Sequence, residues 1–240
     1  MKSEEKILNE EFLECERFGV FLLMIAVGGF LGGYTFTLKG GVFCNAQTAN
    51  LVMLAVQLGS LDFRRALYYF IPITAYLLGS VISEFLPKKI NRLGFMRWDT
   101  FFVGLEMLAL FGIGFIPDSA PAQICQVAIN FIASMQYNTF RQARKIPMAT
   151  TFCTNHIRQV GVHLVKWIHG HKGARERFFM HLLMIFAFIA GAIAATALGW
   201  HFSGRSIWFV EILLLAVFAD LLLADRGREK NKLNIVPHGH

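Results

Sequence analysis

The feature that most constrains this chain is a series of apolar runs, each about as long as a bilayer is thick. A spanning helix needs about 20 mostly apolar residues, within a range of ~17–25. Six segments meet that requirement: Phe18–Leu38, Ala66–Ser83, Thr100–Ile116, Ala120–Phe140, Phe178–Trp200 and Ser206–Leu223. The third carries Glu106, the fifth His181, and the sixth Glu211 and Asp220; the other three have no such residue. With 55% hydrophobic residues, only 16% charged and 24 Phe, the chain is neither a soluble domain nor a disordered segment. Four Cys in 240 residues are too sparse for a secreted disulfide scaffold. The fold class read from these runs is an all-α polytopic membrane protein.

Two further segments are half polar. Gly40–Ser60 is polar until Leu51 and apolar from there to Leu58, and Pro147–Gly170 holds Arg158, Lys166 and three His. Each reads as an irregular polar stretch followed by a short helix. Charge decides whether they cross, because Lys and Arg concentrate in cytoplasmic loops. The loops PKKINRLGFMR and RQARK are basic and PDSAP is not. If Pro147–Gly170 crossed, both HGHKGARER and the tail RGREKNK would lie outside. If both half-polar segments re-enter, six crossings remain and both termini are cytoplasmic, with only Arg64 and Arg65 against the rule. Irregular backbone survives in a bilayer only when buried in protein or lining a polar cavity, so two re-entrant segments point to a central site. The net charge of +7 is spread over short loops rather than one basic face, which excludes nucleic acid as a partner. Residues 1–17 read as a cytoplasmic amphipathic segment and 225–240 as a frayed polar cytoplasmic tail.

The halves 18–116 and 117–224 share one order of elements: span, re-entrant segment, span, span. Thr48 and Thr154 stand 106 apart, and Glu106 and Glu211 stand 105 apart. Three crossings per half make the repeat inverted (3+3), a plan common to transporters.

The stretch GGFLGGYTFTLKGGVFCNAQTANLVML resembles the first motif of the YoaK-type family of bacterial inner-membrane proteins, and MQYNTFRQARKIPMATTFCTNHIRQVG is similar to the family's second. The resemblance implies a multi-span protein of the bacterial cytoplasmic membrane, guessed to be a permease, with no assigned substrate. Three departures stand out. The family's acidic residue near the end of the first span is Gly32, its first T-G-N is Thr48-Ala49-Asn50, and its second is Thr154-Asn155-His156.

Two polar clusters follow from the residues themselves. Asn45, Gln47, Thr48 and Asn50 form one; Thr150, Thr151, Thr154, Asn155 and His156 form the other. They could bind a small solute at two broken-helix ends, where free N–H groups favour anions, or they could cap and glue helices. Each cluster exceeds the one residue a cap needs, which favours binding. Arg158 could meet an anionic solute or anchor at the membrane surface, and Asn130 could face the polar interior or bond a neighbouring helix. Glu106 and Glu211 are proton-coupling candidates, because intramembrane carboxylates are costly to keep; the alternative is pairing with Lys or Arg. His156 and His163 share a helix face, but too few ligands accompany them for a metal site. No catalytic motif and no cofactor fingerprint is present. Gly28, Gly29, Gly32 and Gly33 read as a close-packing stripe. The expected function is a small secondary transporter whose carboxylates permit proton coupling. Its partners are a solute or ion, the lipid bilayer and, for so few spans, a second copy as a homodimer. A passive channel of the same layout and a membrane scaffold are the alternatives.

Overall fold

The computed structural model describes residues 12–92 and 94–237. The expected amphipathic N-terminal helix lies largely outside them; its described part is a 3-10 turn at Glu14–Glu16. The helices are α1 (Phe18–Leu38), α2 (Gln47–Gly59), α3 (Phe63–Phe85), α4 (Pro87–Asn91), α5 (Trp98–Ile113), α6 (Ala122–Thr139), α7 (Thr154–Ile168), α8 (Ala174–Phe202) and α9 (Glu211–Arg226). A two-residue hairpin, β1 (Gln142–Ala143) and β2 (Ile146–Pro147), follows α6. Three stretches are long and apolar enough to cross a membrane: Phe18–Leu38, Phe63–Asn91 and Ala174–Arg226. Their outward faces carry Phe70, Leu77, Leu78, Phe186, Ile193 and Leu223, all exposed. Such a surface is stable only where hydrocarbon replaces water.

The most extensive contacts join α1 to α8 and α3 to α6. The first pair meets backbone to backbone. A Cβ on Gly29 would collide with the Phe188 carbonyl, and one on Gly191 with the Ala26 carbonyl. Gly33 faces Ala192 in the same seam, so the glycine stripe is a helix-packing surface, as small residues are in membranes. In the second pair Gly79 sits against Ser134 and the Phe131 carbonyl. Pro72 inside α3 cannot bond the Tyr68 carbonyl one turn back, and Gln123 Nε2 of α6 donates to that carbonyl instead at 3.3 Å. The shorter α2 packs on α3, α7 packs on α8, and α5 packs on α9.

The last expected span, Ser206–Leu223, is not one α-helix. Ser203–Val210 is a 3-10 helix, and α9 begins only at Glu211. The cause lies at Gly204: its carbonyl accepts from Tyr34 Oη at 2.9 Å and its N–H donates to Asp118 at 3.4 Å. Asp118 also pairs with Lys39 Nζ at 2.9 Å, a bond that holds its carboxyl below the usual carboxylate range.

The described part of the tail is docked rather than frayed. Glu14 N–H donates to Glu229 Oε1 at 2.7 Å, so the two ends of the described chain meet. Arg97, 1% exposed, is the centre of this end of the bundle. Its Nε donates to Asp99 at 3.0 Å, its backbone N–H to Asp225 at 3.0 Å, and Nη1 to the Lys232 carbonyl at 3.4 Å. Burial opposes its charge, but Asp99 and Cys15 outweigh burial and hold the guanidinium firmly cationic.

Two outcomes follow. Arg97→Met strands Asp99 in the interior and destabilises the protein by about 3–5 kcal/mol, while Arg228→Gln, at a side chain 58% exposed, leaves it near wild type; thermal unfolding in detergent reads the difference. Gly29→Ala costs about 1–3 kcal/mol by overpacking the α1–α8 seam, whereas Gly19→Ala, with nothing within 4 Å, is neutral or stabilising.

Candidate solute site

The irregular stretches that precede α2 and α7 are the interior of the molecule. Val42, Cys44 and Asn45 in the first are buried, as are Met148, Ala149, Thr150 and Thr151 in the second. The helices they lead into lie at the periphery, with Leu51, Val52 and Val56 of α2 and Ile157, Val165 and Ile168 of α7 exposed. Non-helical backbone in such a place must find partners within the protein.

Side-chain amides supply them in the first half. Asn50 Nδ2 donates to the Phe43 carbonyl, seven residues back, at 2.7 Å. Asn45 Nδ2 donates to the Gly28 carbonyl of α1 at 3.0 Å, which Gly32 permits by leaving room for the amide. Gln47 Nε2 bridges the Cys44 carbonyl at 3.1 Å and Asn130 Oδ1 at 2.7 Å. Asn130 in turn donates to the Gln126 carbonyl, 2.7 Å away. Three of the sequence-derived residues, Gln47, Asn50 and Asn130, therefore form one network between the first broken segment and α6, while Asn45 ties that segment to α1.

In the second half, His156 Nε2 meets the Ala149 carbonyl, again seven residues back, at 2.8 Å. Gln136 Nε2 donates to the Met24 carbonyl at 2.8 Å and lies 3.4 Å from the Thr150 carbonyl. Gly28 of α1 abuts the Thr150 carbonyl so closely that no Cβ would fit. The Thr150 hydroxyl and Gln136 Oε1 are buried without a hydrogen-bond partner. Thr151 is buried beside them.

Not every expected residue joins. Thr48 and Thr154 are exposed on the outer faces of α2 and α7. Arg158 is exposed too, and its Nη2 donates to Asn155 Oδ1 at 3.0 Å, so the two satisfy each other away from the interior. All four Cys are free thiols.

Glu106 on α5 is fully buried, and neither carboxylate oxygen has a hydrogen-bond partner. Glu211 at the start of α9 is half-buried with Oε1 likewise unpartnered, and it lies within electrostatic reach of Glu106. No Lys or Arg pairs with either among the described residues, which disposes of the ion-pair alternative.

Three groups stand outside the residues the sequence assigned to the site, although Gln136, like Asn130, is legible there as a polar residue in an apolar span. Gln126 and Gln136 are polar positions in an apolar helix; both are fully buried, and Gln126 Nε2 ties α6 to the Lys39 carbonyl at 2.6 Å and to the Tyr68 hydroxyl. His181, noted only as the one histidine of its span, lies 2.9 Å from His156, Nδ1 to Nδ1. Its presence in a run otherwise free of ionisable groups was the available signal.

No curated protein and no solved structure matches the chain. The model of one family, described as "Protein of unknown function (DUF1275)", matches residues 20–219. With that match over most of its length, the chain belongs to the DUF1275 family.

Proposed function

We propose that this protein is a small secondary transporter of the membrane, built as an inverted repeat of two three-crossing halves around two re-entrant broken helices. The observation that carries the reading is Glu106. A buried carboxylate costs several kcal/mol unless it is compensated, and here no protein cation compensates it. That leaves a proton or a passing cation as its counter-ion, which is the role of a coupling site. Glu211, the matching residue of the second half, faces it across the α5–α9 contact.

The contact pattern supports the repeat. Exchanging the halves turns the α1–α8 pair into α6–α3, the α2–α3 pair into α7–α8, and returns α5–α9 to itself. The register is supported at atomic detail, since Asn50 and His156 stand 106 apart and bond carbonyls, Phe43 and Ala149, that stand 106 apart as well. A solute site near Thr150 and Gln136 is supported by their unpartnered buried oxygens, next to the close approach of α1 at Gly28. The Lys39–Asp118 pair and the Tyr34–Gly204 bond close one end, and the Arg97 network closes the other. Both termini then share the cytoplasmic side, and a bacterial cytoplasmic membrane is the setting the basic loops suit.

Proteoliposomes with an entrapped pH indicator test the transport reading against a panel of inorganic anions, amino acids and sugars. Saturable, solute-dependent proton movement is expected for at least one, falling more than tenfold in Glu106→Gln, a near-isosteric change that removes the unpaired acid. Flux that neither saturates nor moves protons would identify a passive channel instead, and no flux with any member would remove transport. Topology has its own check in a cysteine-free background. Ser60→Cys and Ser119→Cys should react with an impermeant thiol reagent from one side and Lys172→Cys from the other. Reaction of Ser60→Cys on the Lys172 side would mean that α2 crosses.

A further inference from the structure

A histidine cluster extends outward from His156 of the second polar segment. His156 and His163 lie on α7 and His181 on α8; the His163 and His181 rings stack at 5.9 Å between centroids and 7° between planes. His163 and His181 form the floor of a cavity of about 190 Å³, lined also by Lys145, Gln159, Lys166 and Arg177, with His156 behind His181. His163 and His181 are buried, whereas Lys145, Lys166 and Arg177 are exposed at its rim.

The hydrogen bonds fix the chemistry of the floor. The Ala149 carbonyl can only accept, so His156 Nε2, at 2.8 Å, carries a hydrogen. In the neutral ring His156 Nδ1 is then a lone pair, and it accepts from His181 Nδ1–H at 2.9 Å. His181 Nε2 is left as an acceptor, buried and without a partner. One added proton reverses this, because whichever ring holds it, His181 Nε2 becomes a donor. A neutral His181 that accepts, beside His163 whose buried Nδ1 also has no partner, under a rim of exposed cations, asks for a ligand with an acidic O–H and negative oxygens together.

We propose that this cavity binds a small oxyanion that carries its own acidic hydrogen, of the hydrogen-phosphate or bicarbonate class. The O–H donates to His181 Nε2 while the charged oxygens face Lys166 and Arg177. His156 is a positioning residue: it sets the tautomer of His181 and touches no ligand. The first half has no histidine counterpart, since Asn50 satisfies the Phe43 carbonyl with an amide, and the bonds run on through Gln47 and Asn130 to the Gln126 carbonyl, all of them amides. The site stands apart from the transport reading, because binding is measured on purified protein with no gradient.

Calorimetry at about pH 8, above the ordinary histidine range near 6.5, compares inorganic phosphate with sulfate, which has the same shape and no hydrogen. Saturable phosphate binding is expected, at least about tenfold tighter than sulfate, because sulfate leaves the acceptor unpaired. Lys166→Gln with Arg177→Gln, both at exposed positions, should weaken phosphate by about fivefold or more, and Lys172→Gln should not. His156→Asn keeps the carbonyl bond that Asn50 makes in the other half but frees the His181 tautomer, so the preference for phosphate over sulfate should collapse. The lipid source of the same chemistry is tested in nanodiscs: phosphatidic acid, a monoester with an O–H, should compete with phosphate, and phosphatidylglycerol, a diester without one, should not. Binding of phosphatidic acid without inorganic phosphate would assign the site to a headgroup of this chemistry. No binding of either, sulfate equal to phosphate, or an undiminished preference in His156→Asn would overturn the proposal.

Discussion

Everything central in this protein depends on satisfying the backbone of two broken segments in the interior of a membrane-embedded bundle. Water is absent there, and each unmet N–H or carbonyl costs several kcal/mol. The solution is the same in both halves: a polar side chain early in the following helix reaches back seven residues to a carbonyl, as Asn50 does to Phe43 and His156 to Ala149. Once the segments are buried, their neighbours have little choice. Gly28 and Gly32 must lack side chains for Thr150 and Asn45 to approach α1. Gln136 must be polar in an apolar helix to reach the Met24 carbonyl. The glycine stripe and the buried amides are thus two consequences of one requirement.

The same requirement explains why so many expected site residues bond within the protein. The amides of Asn45, Gln47, Asn50 and Asn130 are occupied by carbonyls and by each other. Among the buried atoms without a partner are the Glu106 carboxylate, Glu211 Oε1, the Thr150 hydroxyl and Gln136 Oε1, besides the ring nitrogens His163 Nδ1 and His181 Nε2. Buried polar groups are ordinarily paired, so an unpaired set in a helical membrane protein marks where a proton, an ion or a solute supplies the missing bond. The amides hold the framework still, and the unpaired atoms are what the proposed transport reading rests on.

Much of this was legible in the sequence. Apolar runs marked the long helices, and α1 begins and ends where the hydropathy does, at Phe18–Leu38. The glycine spacing foretold a close seam, and Glu106 and Glu211 stood out as charges in apolar surroundings. Direction was not legible. Thr48 and Thr154 belong to the motifs yet point outward, because a helix carries successive residues to different faces and only partner positions decide which face is buried. The 3-10 helix at Ser203–Val210 was hidden for a similar reason: Tyr34 and Asp118, remote in sequence, hold Gly204 in place. The tail read as frayed because its composition is polar, whereas Glu229 finds its partner in the backbone of Glu14 at the opposite end of the chain.

Position 156 shows how the two halves diverge while keeping one backbone task. An amide at this position, as Asn50 demonstrates, satisfies the carbonyl and otherwise bonds only Gln47 one turn back on its own helix. An imidazole satisfies the same carbonyl with one nitrogen and has a second nitrogen 1,3 across the ring, pointing on to α8. The difference is therefore not a lost cap. It is an added connection, possible only because α8 presents His181 at hydrogen-bond distance and α7 presents His163 two turns further on in a parallel stack. Three histidines brought together from two helices, under a basic rim, make the second half chemically unlike the first.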